Sequence, residues 1–371
     1  MKILTGIDIP FDPFGGSPII CNDWYSEIAK NHEVLFLTMP PTTSEWWTIP
    51  DVRMLKTPKV RDPQEYPAYI ERLNEEVQKI VEEFGPDVIH MQHINFGLSR
   101  SFIEVAANVP KIAICHGTDT QVAKQSKYFA NNMTMIADNA DVLVFPSRQM
   151  AGDFFEIYDK KKKHRVFPHG LPASVFAKHS VHSFDGKLKL LYAGRLNTYK
   201  GADIALQAVA MMPKELVSID IYGAEDESGY LDRLKSIIRE NDMKNVELHD
   251  QIERMKLLDK FSEYDCILIP SRELEAFSLT AVEAQARGLV VVYGNGGGIK
   301  SVIGSSGICI HDNAPSTLEL ILKKIISNPT SLKEYRKLGY KNAGKYKLSK
   351  QIDSLLSLSV ELINNKENQH G

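Results

Sequence analysis

A chain of 371 residues is longer than one hydrophobic core ordinarily supports, which predicts two domains. Its formal net charge of -3 and pI near 6.4 exclude a general electrostatic attraction to nucleic acid, and no stretch approaches the ~20 consecutive apolar residues of a membrane span. The opening Met1-Lys-Ile-Leu-Thr-Gly reads as a first strand and not as the apolar region of a signal peptide, so a cytoplasmic protein is expected. Cys21, Cys115, Cys266 and Cys309 are scattered without paired spacing, which predicts reduced thiols and neither a disulfide frame nor a cysteine metal site.

In chain order, short β-branched runs fall at 3–5, 34–37, 52–55, 88–91, 112–115, 142–145 and 165–167. Helical patterns separate them, at 19–29 and most clearly at 69–84, where Ile70, Leu73, Val77, Ile80, Val81 and Phe84 make one apolar stripe. Residues 168–186 lack either periodicity and are rich in turn formers. The rhythm restarts at 188–192, 218–222, 246–248, 266–269, 290–293 and 307–310. Strands alternating with helices predict an α/β protein of two doubly wound Rossmann-like domains. We place an N-terminal domain over 1–170, a linker over 171–186, a C-terminal domain over 187–346, and a last helix at about 347–365. Such domains bind ligands at the carboxyl ends of their strands, in a cleft.

Three loops carry candidate chemistry. After the first strand, Gly15 and Gly16 precede a helix, where backbone amides and a helix start suit an anion; a turn needing positive φ explains a Gly-Gly pair equally well. After the first strand of the second half, Gly194-Arg195-Leu-Asn-Thr-Tyr-Lys200-Gly places a guanidinium and an ammonium five residues apart, as two phosphates require. Two solvated cations beside a turn are the plainer account. No Gly-rich Gly-Lys-Ser/Thr frame occurs, so this is not a P-loop. After the run 266–270, Glu275 and Glu283 stand with seven residues between them, the first on a turn and the second inside a helix. Ser278 is placed to cap that helix, and the amides of Phe277, Ser278 and Leu279 to face a ligand. A carboxylate near a helix start also stabilises the macrodipole by roughly 0.3–1 kcal/mol without any ligand.

The segment Glu275-Ala-Phe-Ser-Leu-Thr-Ala-Val-Glu283 resembles the signature of the family-4 retaining glycosyltransferases. Gly194 to Gly201 resembles their diphosphate motif, Gly15-Gly16 their donor loop, and His116-Gly-Thr-Asp119 their histidine loop. The resemblance runs from end to end and implies the GT-B fold, two facing Rossmann-like domains with an interdomain cleft, whose last helix returns to the first domain. It further implies that Arg195 and Lys200 hold the donor diphosphate and stabilise the leaving nucleotide without a metal or cofactor. Glu283 would take the ribose hydroxyls, Glu275 would lie by the donor sugar, and Gly223 and the stretch 251–254, with Arg254, would lie by the base. His116 would sit over the reacting sugar. Three details depart from the family pattern: Pro168-His169-Gly170 stands where Asn-Gly is common, Ser278 where Gly is common, and Gly297-Gly298-Ile299-Lys300-Ser301-Val302 lacks the usual Pro-Glu pair.

The expected reaction is transfer of a hexosyl or N-acetylhexosaminyl group from a nucleoside-diphosphate sugar to a hydroxyl. A UDP-sugar is favoured, UDP-N-acetylglucosamine among the candidates. Asp12, Asp23, His93 and Asp119, with the rest of 90–95, are candidates for the acceptor. An acidic cluster there favours an amine-bearing acceptor such as an aminocyclitol, with lipid-linked sugars as the alternative. The run 160–163, four lysines, is a solvated loop or at most a peripheral membrane contact. A monomer or homodimer is expected. A nucleotide-sugar epimerase of the same fold and a noncatalytic sugar-nucleotide binding module remain alternatives.

Overall fold

The computed structural model describes residues 1–13, 15–41, 45–60, 62–176, 182–272 and 275–370, the side chains of 118, 369 and 370 excepted. Part of the expected linker, 177–181, and two residues of the loop before Glu275 lie outside the described residues, as does Phe14 beside Gly15. The chain divides into two units, Met1–Gly170 with Leu348–Gly371, and Leu171–Lys347.

The first unit begins with β1 (Lys2–Ile7), α1 (Gly16–Ile28), β2 (Glu33–Thr38), β3 (Val52–Met54), α2 (Tyr66–Phe84), β4 (Val88–Gln92) and α3 (Gly97–Val105). It continues through β5 (Lys111–Ile114), α4 (Thr118–Gln125), α5 (Lys127–Asn139), β6 (Val142–Phe145), α6 (Arg148–Phe155) and β7 (His164–Val166). The strands form one sheet in the order β3-β2-β1-β4-β5-β6-β7, and every pair is parallel. β4, β5 and β6 are buried along their whole length, as parallel strands covered on both faces must be. In α2 four of the six expected stripe residues, Ile70, Leu73, Val77 and Ile80, are buried, joined by Tyr66 and Tyr69, while Val81 and Phe84 are half-buried. Gly85 stops the helix in the left-handed region, with its amide on the Val81 carbonyl at 2.9 Å.

The second unit runs β8 (Leu188–Ala193), α7 (Ala202–Ala210), β9 (Val217–Tyr222), α8 (Tyr230–Glu240), β10 (Val246–His249), α9 (Arg254–Lys260) and β11 (Cys266–Ile269). α10 (Leu279–Ala286), β12 (Val290–Gly294), α11 (Ile299–Ile303), β13 (Ile308–Ile310), α12 (Pro315–Ser327) and α13 (Ser331–Ala343) complete it. Its parallel sheet has the order β10-β9-β8-β11-β12-β13. Alternation divides the strands between two cores: Leu190, Ile219, Leu268 and Val292 pack to one side, and Leu191, Ile267, Ile269 and Val291 to the other. Both sheets and their helices are the two Rossmann-like folds that the sequence predicts.

The last helix, α14 (Leu348–His370), belongs to the first unit. Ile352, Leu355, Leu358 and Leu362 are its buried apolar positions, and Ser359 is fully buried among them. Cys21, Cys115 and Cys266 are buried free thiols. No described helix is long and apolar enough to cross a membrane. The lysine run is largely tied down locally: Lys160 pairs with Asp138 at 2.5 Å, Lys162 donates to the Asp138 carbonyl at 3.0 Å, and Lys163 meets Glu361 at 2.8 Å.

Candidate functional site

In the second unit the three loops after β8, β9 and β11 are stitched into one corner. Leaving β8, Gly194 is held by its amide on the Tyr222 carbonyl at 3.0 Å. Gly223 must be glycine for the protein's own sake, since a Cβ there would stand 2.0 Å from the Gly194 carbonyl oxygen. Arg195 reaches outward, more than half exposed, and pairs with Asp226 at 2.8 Å. Asn197 binds the same carboxylate oxygen at 2.8 Å, and Thr198 donates to Glu227 at 2.7 and 2.9 Å.

Lys200 turns the other way. Its ammonium is bonded to the Glu275 carboxylate, which also accepts from the Ser271 hydroxyl at 3.0 Å. The Glu275 carbonyl takes the Gly298 amide at 2.5 Å, so the carboxylate is fixed from its backbone as well. Four residues into α10, Glu283 accepts from Arg254 Nε at 2.6 Å. Glu275 and Glu283 are thus separately held, each by its own cation and each nearly buried. They are not a pair of carboxyl groups sharing a proton.

Sequence reasoning missed the clamp that joins these loops. Asp203, at zero exposure in the first turn of α7, takes both guanidinium nitrogens of Arg272 at 2.7 and 2.8 Å, with Arg233 at 2.8 Å and the Tyr230 hydroxyl at 2.7 Å. Arg272 also donates to the Thr198 carbonyl at 2.7 Å. The Lys200 loop and the Glu275 loop therefore move as one piece. In sequence Asp203 is an acidic residue in the first turn of a helix; its burial is the signal, and periodicity alone does not carry it.

One expectation at α10 changes. Ser278 does not cap the helix: it sits at φ 66°, ψ 80°, with no side-chain cap bond, whereas a capping serine needs extended backbone. A non-glycine residue there costs roughly 1–2 kcal/mol, which accounts physically for glycine at this position in the family pattern. Phe277 offers only its backbone, because its ring is buried in the core edge-on to Tyr346 at 5.2 Å. Leu279 opens the helix, whose first amides have no carbonyl one turn back. Among the described residues Asp220, Glu247 and His249 bring ligand atoms within 4.8 Å of one another. Asp220 is engaged by the Tyr264 hydroxyl at 2.6 Å, and the His249 ring stacks on Tyr222 at 4.3 Å.

In the first unit Gly15 has φ -108°, so no positive φ explains it; a Cβ would crowd Pro18 at 2.9 Å. A Cβ on Gly16 would meet nothing within 4 Å. His116, just past β5, donates or accepts at Nε2 with Gln92 at 2.7 Å, while its amide binds Asp119 at 2.7 Å. Its ring lies 4.8 Å from His93 and stacks 5.8 Å from His169. Burial, and then the neighbouring His93 and His169 rings, push its pKa well below the ordinary histidine range. Burial alone takes His169 down to about 3. His93 adopts φ 68°, a strained turn that sets its ring beside His116.

Asp119 is withdrawn as an acceptor contact. It is fully buried, and its carboxylate takes the Ile94 amide at 2.9 Å, the His116 amide at 2.7 Å and His93 Nδ1 at 3.3 Å. Burial raises its pKa, but His93 and these bonds prevail and hold it below the usual carboxylate range. It organises the two histidines. His90 and Asn95, fully buried, are likewise out of a ligand's reach. Asp12 and Asp23, the other acidic candidates, are half-buried.

A parallel-sheet unit with a Lys–Glu, Arg–Glu corner, and a second such unit with a buried histidine loop, match what the resemblance to the GT-B glycosyltransferases implies. The family model "Glycosyltransferase Family 4" matches residues 14–175, and "Glycosyl transferases group 1" matches residues 176–345. The chain belongs to the family-4, group 1 glycosyltransferases. It is 29% identical over 180 residues to a D-inositol 3-phosphate glycosyltransferase of Xylanimonas cellulosilytica, covering 44% of this chain and 43% of that one. With D-inositol 3-phosphate glycosyltransferase 1 of Catenulispora acidiphila it shares 25% over 308 residues, 73% of this chain and 71% of that one. In structure it is similar to sucrose-phosphate synthase from Thermosynechococcus elongatus, with TM-score 0.84, 17% identity, and 98% and 100% of the two chains covered. Anabaena Alr3699/HepE, solved in complex with UDP and glucose, gives TM-score 0.79 at 15% identity over 96% and 99%.

Proposed function

We propose that the protein transfers a hexosyl or N-acetylhexosaminyl group from a nucleoside-diphosphate sugar, a UDP-sugar first, to a hydroxyl acceptor, with retention and without a metal. The observation that carries this reading is the Lys200–Glu275 pair beside the start of α10, with Arg254–Glu283 one turn inside it. Lys200 shares its ammonium between Glu275 and the leaving diphosphate, supplying positive charge where negative charge grows. Arg195 adds a second cation at the rim, and Glu283 keeps one oxygen for the ribose hydroxyls. Among the described residues of this corner, Glu275 and Glu283 are each held by a cation, which supports front-face substitution: the anomeric carbon–oxygen bond breaks as the acceptor oxygen approaches the same face. The acceptor proton passes to the departing phosphate oxygen.

The UDP and UDP-glucose bound to the Anabaena protein support a UDP-sugar donor. The names of the actinobacterial relatives support a phosphorylated or neutral cyclitol as the first acceptor class to try. Incubation with UDP-glucose, UDP-N-acetylglucosamine and GDP-, ADP- and TDP-sugars, each with inositol phosphates, aminocyclitols and lipid-linked glycans, is read by mass spectrometry. A product heavier by one glycosyl residue, formed with EDTA present, is expected. An isomerised donor without acceptor would establish an epimerase instead, and binding without any product a noncatalytic module.

A further inference from the structure

The hydrogen bonds behind His116 have determined directions, because carbonyl oxygens only accept. On α14 the Ser359 hydroxyl donates to the Leu355 carbonyl at 2.8 Å, so its oxygen must accept from His90 Nε2 at 2.9 Å. Burial keeps the His90 ring neutral, with a pKa of about 3. Its Nδ1 is then a lone pair and takes the Tyr25 hydroxyl hydrogen at 3.1 Å. The Tyr25 oxygen in turn accepts from the Gln92 amide nitrogen at 2.6 Å.

A second anchor sets the same amide independently. Thr5 donates its hydroxyl to the His90 carbonyl at 2.7 Å, so its oxygen accepts the other Gln92 amide hydrogen at 3.1 Å. Both hydrogens of one nitrogen are thereby used, and Gln92 Oε1 is the atom facing His116 Nε2 at 2.7 Å. An oxygen there requires an N–H opposite. Thr5, Tyr25, His90 and Ser359 are fully buried and Gln92 nearly so, which leaves no water to reverse the sequence. His116 Nδ1, also buried, meets no hydrogen-bond partner among the described residues.

We infer that Gln92, oriented from one side by Thr5 and from the other by Ser359 through His90 and Tyr25, is a positioning residue that fixes the His116 tautomer. The ring carries its hydrogen on Nε2 and presents Nδ1 as an acceptor. Resting on the transferase reading above, this commits the one ring hydrogen to Gln92, so His116 is not a donor to a phosphate or carboxylate oxygen. The C-terminal helix thereby takes part in the site through Ser359, though it is remote in sequence from the histidine loop.

Nitrogen-15 NMR of the histidine-labelled full chain reads the tautomer directly, without substrate. Wild-type His116 is expected as Nε2–H with an unprotonated Nδ1, and Thr5→Ser, which keeps the hydroxyl, is expected to match it. Thr5→Val with Ser359→Ala removes both anchors without touching His116; both tautomers should then appear and kcat fall about tenfold with donor KM little changed. A wild-type His116 protonated on Nδ1, or a double variant with an unchanged tautomer, would overturn the inference. If the tautomers behave as stated and no glycosyl transfer is found with any donor, the relay stands and the transferase reading falls.

Discussion

Lys200→Ala is expected to lower kcat by about 10²–10³ when the transfer reaction is assayed, the loss typical of deleting one preorganised donor that stabilises a developing anion. Two effects combine in that variant. It removes the diphosphate's cation, and it leaves Glu275, nearly buried and fixed by Ser271 and Gly298, without its charge partner. The double variant Lys200→Ala/Glu275→Gln separates them, since it removes the unpaired charge but cannot restore a phosphate contact. Stability should return while kcat stays low; a double variant with recovered kcat would reduce Lys200 to a structural counter-ion. Arg195→Ala should cost less, because its guanidinium is more than half exposed and already shared with Asp226.

The first unit should lose stability steeply on mild acidification. Burial takes His90 and His169 down to about 3, and burial with neighbouring rings lowers His116 too. In the unfolded chain these residues titrate near ~6.5, so below that pH the unfolded state binds more protons than the fold. Stability present above the unfolded value is therefore lost as pH falls toward the folded one. Each such histidine contributes about 1.4 kcal/mol per pH unit, or roughly 2 kcal/mol between pH 6.5 and 5. Trp24, Trp46 and Trp47, the chain's three tryptophans, all belong to the first unit, so their fluorescence reports it alone. Urea midpoints should drop between pH 7.5 and 5.0, and His169→Asn should lessen the drop. Equal midpoints at both pH values would show these histidines to be charged in the fold.

Much of this molecule is legible in its sequence, for identifiable reasons. Every strand candidate corresponds to a strand of one of the two sheets, because buried parallel strands need unbroken β-branched runs and the helices between them need a stripe. The Lys200, Glu275 and Glu283 positions stand out because their motif is local, confined to the segments that follow β8 and β11. What stays hidden is pairing across the sheet. Gln92 meets His116 because β4 lies beside β5, with Gln92 in register with Ile114. Nothing in periodicity chooses a partner twenty-four residues away. Asp203 and Arg272 are hidden for the same reason, and Asp119 misleads because an aspartate in a loop is read as exposed until its burial is known. At Ser278 the side chain suggested a cap, but the backbone decided otherwise.

The central claim is that the corner formed by Lys200, Glu275, Arg254 and Glu283 holds a nucleoside diphosphate. Scanning calorimetry of the wild-type chain with UDP, GDP, ADP and TDP tests it most directly, since a ligand at one hundred times its Kd stabilises the fold by about 2.7 kcal/mol. One of these nucleotides, UDP first, is expected to raise the transition of the second unit, and Lys200→Ala to abolish the rise. No shift with any of the four, or an undiminished shift in Lys200→Ala, would contradict it.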